Sequence, residues 1–258
     1  YLKRYYLDLL IKLRNKKTVM IGGPQGCGKS TISLLIKQYF KKFYSRDVAI
    51  ISIDDFYLSS IKRKKLSKKY NTPLFDIRGV PGTHDLKSLL KVIEKLKKKN
   101  FPVYLPIFNK VSDNHKNYFR KINNADLVIL EGWCVGSKVI DNKYLNKNLN
   151  NLEKNKDPNF IWRYNYNNYL SKYQKLFKKF NHYIFIQIPD WKYVINWKYK
   201  QELGLRSKNS DLKLKTKLKE FIKYYQKISK WMSLTSPRFC NTLIKLDKKQ
   251  RINKILYK

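Results

Sequence analysis

Residues 23–30 read Gly23-Pro24-Gln25-Gly26-Cys27-Gly28-Lys29-Ser30, the pattern Gly-x-x-x-x-Gly-Lys-(Ser/Thr). This pattern constrains the fold because it does its chemistry only between a strand and a helix. Both flanks are legible. Thr18-Val19-Met20-Ile21 is a short, partly β-branched apolar run, and Ile32, Leu35, Ile36, Tyr39, Phe40 and Phe43 recur at helical spacing. Glycines let backbone N–H groups point at phosphate oxygens, and the helix N-terminus adds positive potential. The expected ligand is a nucleoside triphosphate (ATP), held by Gly23, Pro24, Gln25, Gly26, Cys27, Gly28, Lys29, Ser30 and Thr31. Lys29 is expected to face solvent in the empty loop and to reach the β/γ-phosphates when nucleotide binds. Ser30 is expected to ligate Mg²⁺. What accepts the phosphoryl group is the open question.

The chain has 258 residues, enough for one α/β domain, and a single P-loop domain over 1–258 is expected. Further buried strands are read at 48–53, 127–130, 183–188 and, as a last strand, 242–246. Amphipathic helices are read over 1–16 and 86–96, an extended segment over 102–108, and a helical lid region over 191–232. The basic run at 62–70 reads as a loop. The Asn/Lys-crowded stretch 141–157 reads as a mobile surface insertion. Apolar strands alternating with amphipathic helices predict a mostly parallel sheet of the P-loop NTPase type, with helices on both faces. Ligands in such folds bind at the carboxyl ends of the strands.

Net charge is +39, from 57 Lys+Arg against 18 Asp+Glu, which taken alone suggests a polyanion partner. Only 10 of the 57 are Arg, and the lysines come with many Asn, Ile and Tyr and are spread along the chain. That is the residue usage of a strongly A/T-biased genome. Weak non-specific binding at low salt is expected, and no specific nucleic-acid partner. The three cysteines, Cys27, Cys134 and Cys240, lack metal-ligand spacing and point to a reducing, cytoplasmic setting. No apolar run approaches membrane-spanning length, so no membrane partner is expected.

The acids stand where the strands end. Asp54 and Asp55 follow the second strand, where one suits a base for an acceptor hydroxyl and the other a turn cap. Glu131 ends the third strand, the expected position of a Mg²⁺ or water ligand. Between them, Arg78-Gly79-Val80-Pro81-Gly82-Thr83-His84-Asp85 is a Gly/Pro-rich loop carrying two potential cations. A guanidinium there can pair a carboxylate with two hydrogen bonds. Asp85 also reads as the N-cap of the next helix.

The strings GGPQGCGKST, SIDDFYL, RGVPGTHDL, LPIFNK and LEGW resemble, in order and spacing, the plant and fungal type of D-glycerate 3-kinase. That family belongs to the P-loop kinase group with phosphoribulokinase, uridine kinase and pantothenate kinase. The resemblance runs from about Thr18 to about Leu246. It implies transfer of a phosphoryl group from ATP to D-glycerate, with Mg²⁺ at Ser30 and Glu131 and with Lys29 and Asp54 as the catalytic pair. It puts Asp55, Tyr57, Arg78, His84, Asp85 and Lys110 at the acceptor, joined by the lid cations Lys198 and Arg206. Arg78, His84 and a lid cation would recognise the acceptor's carboxylate. Two departures stand out. Lys198 replaces the usual lid arginine. Asn109-Lys110 is followed by Val-Ser-Asp-Asn-His-Lys-Asn, where the family has Ser-Ala and a Gly-Arg-Gly-Asp-Arg-like stretch.

Overall fold

The computed structural model describes residues 4–206 and 212–258. Helix α1 (Arg4–Leu13) buries Leu9, Leu10 and Leu13 and leads into β1 (Thr18–Gly22). The glycine loop follows, then α2 (Lys29–Tyr44), β2 (Val48–Ser52) and a one-turn 3₁₀ segment, Ile53–Phe56. Next comes α3 (Ser60–Lys69), where a loop was expected. Lys and Arg are good helix formers, and the Ser59 hydroxyl accepts from the Lys62 amide as an N-cap. What hid the helix is its buried stripe, which contains Arg63 and Ser67 where apolar residues normally stand.

The chain continues through α4 (Leu86–Lys97) into two small antiparallel pairings: β3 (Val103–Leu105) with β6 (Arg120–Ile122), and, between them in sequence, β4 (Phe108–Asn109) with β5 (Asn114–His115). Strand β7 (Leu127–Gly132) returns to the main sheet. The stretch 141–157, expected as an insertion, carries two short helices, α5 (Asn142–Leu145) and α6 (Asn151–Lys156), leading to α7 (Ile161–Phe177). Buried charges clamp them. Arg163 Nε donates to Asp157 Oδ2 at 2.8 Å, and Lys227 Nζ sits 3.2 Å from Glu153 Oε2. Composition hid this too, because the acids doing the clamping are scattered among Asn and Lys.

The rest is β8 (His182–Gln187), α8 (Lys192–Arg206), α9 (Leu212–Thr235), β9 (Thr242–Leu246) and β10 (Ile252–Tyr257). Strand β10 was not expected; it pairs antiparallel with β9 at the sheet edge. The order is β10-β9-β8-β1-β7-β2, parallel from β9 to β2. Alternate residues face opposite sides. Val19, Ile21, Leu127 and Ile129 pack under α1 and α2, while Met20, Val128 and Leu130 pack under α4, α7 and α9. No helix among the described residues is long and apolar enough to cross a membrane.

Because β7 lies between β1 and β2, the phosphate loop and the second-strand acids end up on either side of it. The register puts Ile21 and Ser52 both beside Glu131. Three segments remote in sequence therefore meet at one end of the sheet.

Candidate active site

The loop wraps tightly before α2. Gly28 is the helix N-cap at φ 91°, in the left-handed region open to glycine. Gly26 is left-handed too, at φ 73°, and a Cβ there would stand 3.0 Å from the Cβ of Trp197. Helix α8 thus lies directly on the loop. Lys29 does not face solvent as expected. It is buried, and its ammonium donates to the carbonyls of Gly23 at 2.9 Å and Pro24 at 2.8 Å. A long cation above carbonyls finds acceptors inside the loop until something more negative arrives. Cys27 is buried alongside, and burial pushes its thiol up against the pull of Lys29, so it stays protonated and inert. Gly26, Gly28, Lys29, Ser30, Thr31, Gln201 and Gln250 line a cleft of about 170 Å³ over the helix N-terminus.

The expected metal residues come together. Ser30 Oγ donates to Glu131 Oε1 at 3.2 Å. Burial raises the Glu131 carboxyl; Lys29 opposes that, and Asp54 adds to it. Such a carboxylate gains from a divalent cation. Two adjacent oxygen donors fit Mg²⁺, which keeps most of its shell as water and phosphate.

The two second-strand acids separate cleanly. Asp55 Oδ1 accepts from the Phe108 amide at 3.3 Å, which ties β4 to the sheet end. Burial, which outweighs that bond, pushes its carboxyl up. Asp54 accepts from Lys110 Nζ at 2.6 Å and from the Tyr57 hydroxyl at 2.8 Å. Burial works to raise the Asp54 carboxyl, but Lys110 and Tyr57 win and hold it well below the usual carboxylate range.

The cations expected at the acceptor are mostly engaged. Arg78 pairs with Asp113, and its other nitrogen donates to the Lys110 carbonyl at 3.1 Å. His84 is no cation. Burial lowers it to about 4 despite the pull of Asp54. It stacks on Tyr57 with ring centroids 4.6 Å apart, and its Nδ1 lies 2.7 Å from the Tyr173 hydroxyl. That hydroxyl also accepts from the Gly82 amide at 3.2 Å. Nε2 is buried with no hydrogen-bond partner. Asp85 caps α4, accepting from the Ser88 amide at 3.0 Å and the Ser88 hydroxyl at 2.9 Å. Both its oxygens are occupied by that cap, against an acceptor role. Lys198 is buried and pairs with Glu202 at 2.6 Å. Burial lowers its pKa, with Glu202 opposing. Arg206 ends α8, and its side chain lies outside the described residues.

Sequence reasoning missed four contributors. Arg63 is hidden in a basic run. Asp113 lies in the loop where the chain departs from the family pattern. Tyr225 donates from α9 to the Arg78 carbonyl at 2.8 Å. Gln250, in the β9–β10 turn, donates to the Gly26 carbonyl. Only Asp113 carried a signal, the departure itself.

The model of the family described as Phosphoribulokinase / Uridine kinase matches residues 18–152. An uncharacterized kinase of Schizosaccharomyces pombe (mug58) is 30% identical over 217 residues, 80% of this chain and 76% of that one. The chloroplastic D-glycerate 3-kinase of Arabidopsis thaliana is 29% identical over 203 residues, 71% of this chain but 40% of that one. Among solved structures, a D-glycerate 3-kinase from Cryptococcus neoformans superposes with a TM-score of 0.77 at 23% identity, covering 98% of this chain and 96% of that one. At that identity the likeness bears on the fold.

Proposed function

Because the chain belongs to the phosphoribulokinase/uridine kinase family, we propose that it transfers the γ-phosphoryl of ATP to the 3-hydroxyl of D-glycerate. Family membership makes it a P-loop kinase using ATP, a phosphotransferase with a hydroxyl acceptor. The acceptor, the metal and the residue roles are the proposal. One observation carries it: Asp54, ionised and touching Lys110, follows β2 on the far side of Glu131 from the phosphate loop, with Arg78 bonded to the same Lys110 residue. A base beside two cations suits an acceptor that has a hydroxyl and a carboxylate.

In the reaction, Lys29 leaves the Gly23 and Pro24 carbonyls for the β/γ-phosphates, which offer it full negative charge. Ser30 and Glu131 would hold Mg²⁺, whose contribution is to neutralise phosphate charge. Asp54 Oδ2 orients the 3-hydroxyl and takes its proton as the new P–O bond forms and the bond to ADP breaks. In a loose phosphoryl transfer the base chiefly positions the nucleophile, so a weakly basic carboxylate suffices. Lys110 bridges from Asp54 toward the transferring group. Helix α8 covers the loop and limits water.

The test is ADP release against a panel of acceptors. D-glycerate should outperform uridine, ribulose 5-phosphate and pantothenate. A neutral acceptor outperforming glycerate would leave an ATP-dependent kinase and remove glycerate.

A further inference from the structure

Among the described residues expected at the acceptor, Lys110 is paired with Asp54, and Lys198 with Glu202. Arg78 instead belongs to a triad contributed by three separate segments. Asp113, in the β4–β5 turn, takes Arg63 on Oδ2 and Arg78 on Oδ1. Arg63 is fully buried. Its Nε donates to the Asp76 carbonyl at 2.8 Å and its Nη1 to the Leu58 carbonyl at 2.6 Å, so it cannot turn outward. Arg78 is about a fifth exposed, lies over the Phe108 ring and touches Lys110. The turn is built to hold this arrangement. Asn109 Oδ1 accepts from the Val111 amide at 2.9 Å, and Asp113 takes a left-handed φ of 53°.

Two guanidiniums sharing one carboxylate leave a single net positive charge, and only Arg78 can present it. A monoanion answers that charge. A dianion would bring one charge unmatched, next to the carboxylate of Asp113 itself. We propose that Asp113, acting through Arg78, is the residue that makes this site select a singly charged hydroxy acid over a phosphorylated, doubly charged acceptor. It is a positioning residue set in the loop where the chain departs from its family pattern. The inference rests on the reading of the acceptor as a small hydroxy acid, and it sharpens that reading.

The test uses the full chain with Asp113→Asn, Asp113→Ser and Asp113→Glu. Each is assayed with D-glycerate, a monoanion, and with sn-glycerol 3-phosphate, a dianion of similar size carrying hydroxyls. Wild type should favour glycerate. Asp113→Asn and Asp113→Ser should shift the ratio of kcat/KM toward glycerol 3-phosphate by about tenfold or more, the scale of one charge-assisted pair. The shift should lie in KM and leave kcat nearly unchanged. Asp113→Glu keeps the charge and should recover most of the wild-type ratio. A ratio unchanged in either folded neutral variant overturns the proposal. So does failure of both to fold, which would make Asp113 a structural clasp. The glycerate reading fails separately, if glycerol or another neutral acceptor beats glycerate in the wild type. In that event the monoanion-to-dianion ratio still decides the role of Asp113.

Discussion

At the scale of single residues, Lys29 shows how a motif can be read correctly and its resting state missed. The sequence marks Lys29 as the phosphate cation but does not say where it waits. In the structure its ammonium satisfies two loop carbonyls. Lys29→Ala therefore has two effects. Turnover should fall by on the order of 10²-fold or more, because a cation is lost from the transition state. Stability should also fall by about 1–2 kcal/mol, because buried carbonyls lose their donor. Single-turnover kinetics and a urea melt on the same preparation read both. Near-wild-type turnover in a folded variant would sink the role of Lys29.

The two adjacent acids make a second residue-scale test. Sequence left the base open between Asp54 and Asp55, and only the resemblance favoured Asp54. The contacts give a physical reason for the choice, since Asp55 is spent on the Phe108 amide while Asp54 faces Lys110. Asp54→Asn should cut kcat strongly with KM for ATP little changed. Asp55→Ala should instead cost about 1 kcal/mol of stability through the freed amide and leave kcat within a few-fold. If Asp55→Ala has the larger effect on kcat, the two assignments are exchanged.

At the scale of elements, what was legible was whatever has a repeating pattern. The phosphate loop, the buried strands and α4 all announce themselves by period or by run length. Helix α3 and the helices of 142–156 do not, because they are pinned by buried charges: Arg63 on Asp113 in one case, Arg163 and Lys227 on Asp157 and Glu153 in the other. Single-sequence patterns register apolar periodicity and are blind to which Lys or Arg finds which acid, whether six residues away, as Arg163 and Asp157, or 50 or more, as Arg63 and Asp113. Asp85 shows the converse. Both of its readings were visible, and its contacts support the cap. Asp85→Ala should cost about 1 kcal/mol and leave KM for the acceptor unchanged. A several-fold rise in KM with no loss of stability would put Asp85 at the acceptor after all.

At the scale of the whole molecule, the net charge of +39 makes the chain sensitive to acid, and two buried histidines set where that sensitivity begins. Burial lowers His84 to about 4, with Asp54 partly opposing, and burial with help from Lys16 lowers His182 to about 4. His182 is held by the Thr242 hydroxyl at 2.9 Å, across from β8 to β9. Both native pKa values lie below the ordinary 6.5. As pH falls, the unfolded chain therefore takes up these protons first. Stability is complete above about pH 6.5, declines as pH falls from there toward 4, and loses nothing more from these groups below that. The loss is at most about 3 kcal/mol per histidine. Asp54, held low by Lys110, adds its own loss only below the ordinary carboxylate range. General charge repulsion also grows in acid, so the slope for the wild type alone proves little. The comparison that decides is with His84→Gln and His182→Gln, which cannot take up the proton. In urea melts at pH 7.5, 6.0 and 5.0 and fixed ionic strength, each variant should begin less stable than wild type and lose less on acidification, so the curves converge. Parallel curves would mean that the histidines are not held neutral, and with that the stacked, uncharged role given to His84 beside Tyr57 would fall.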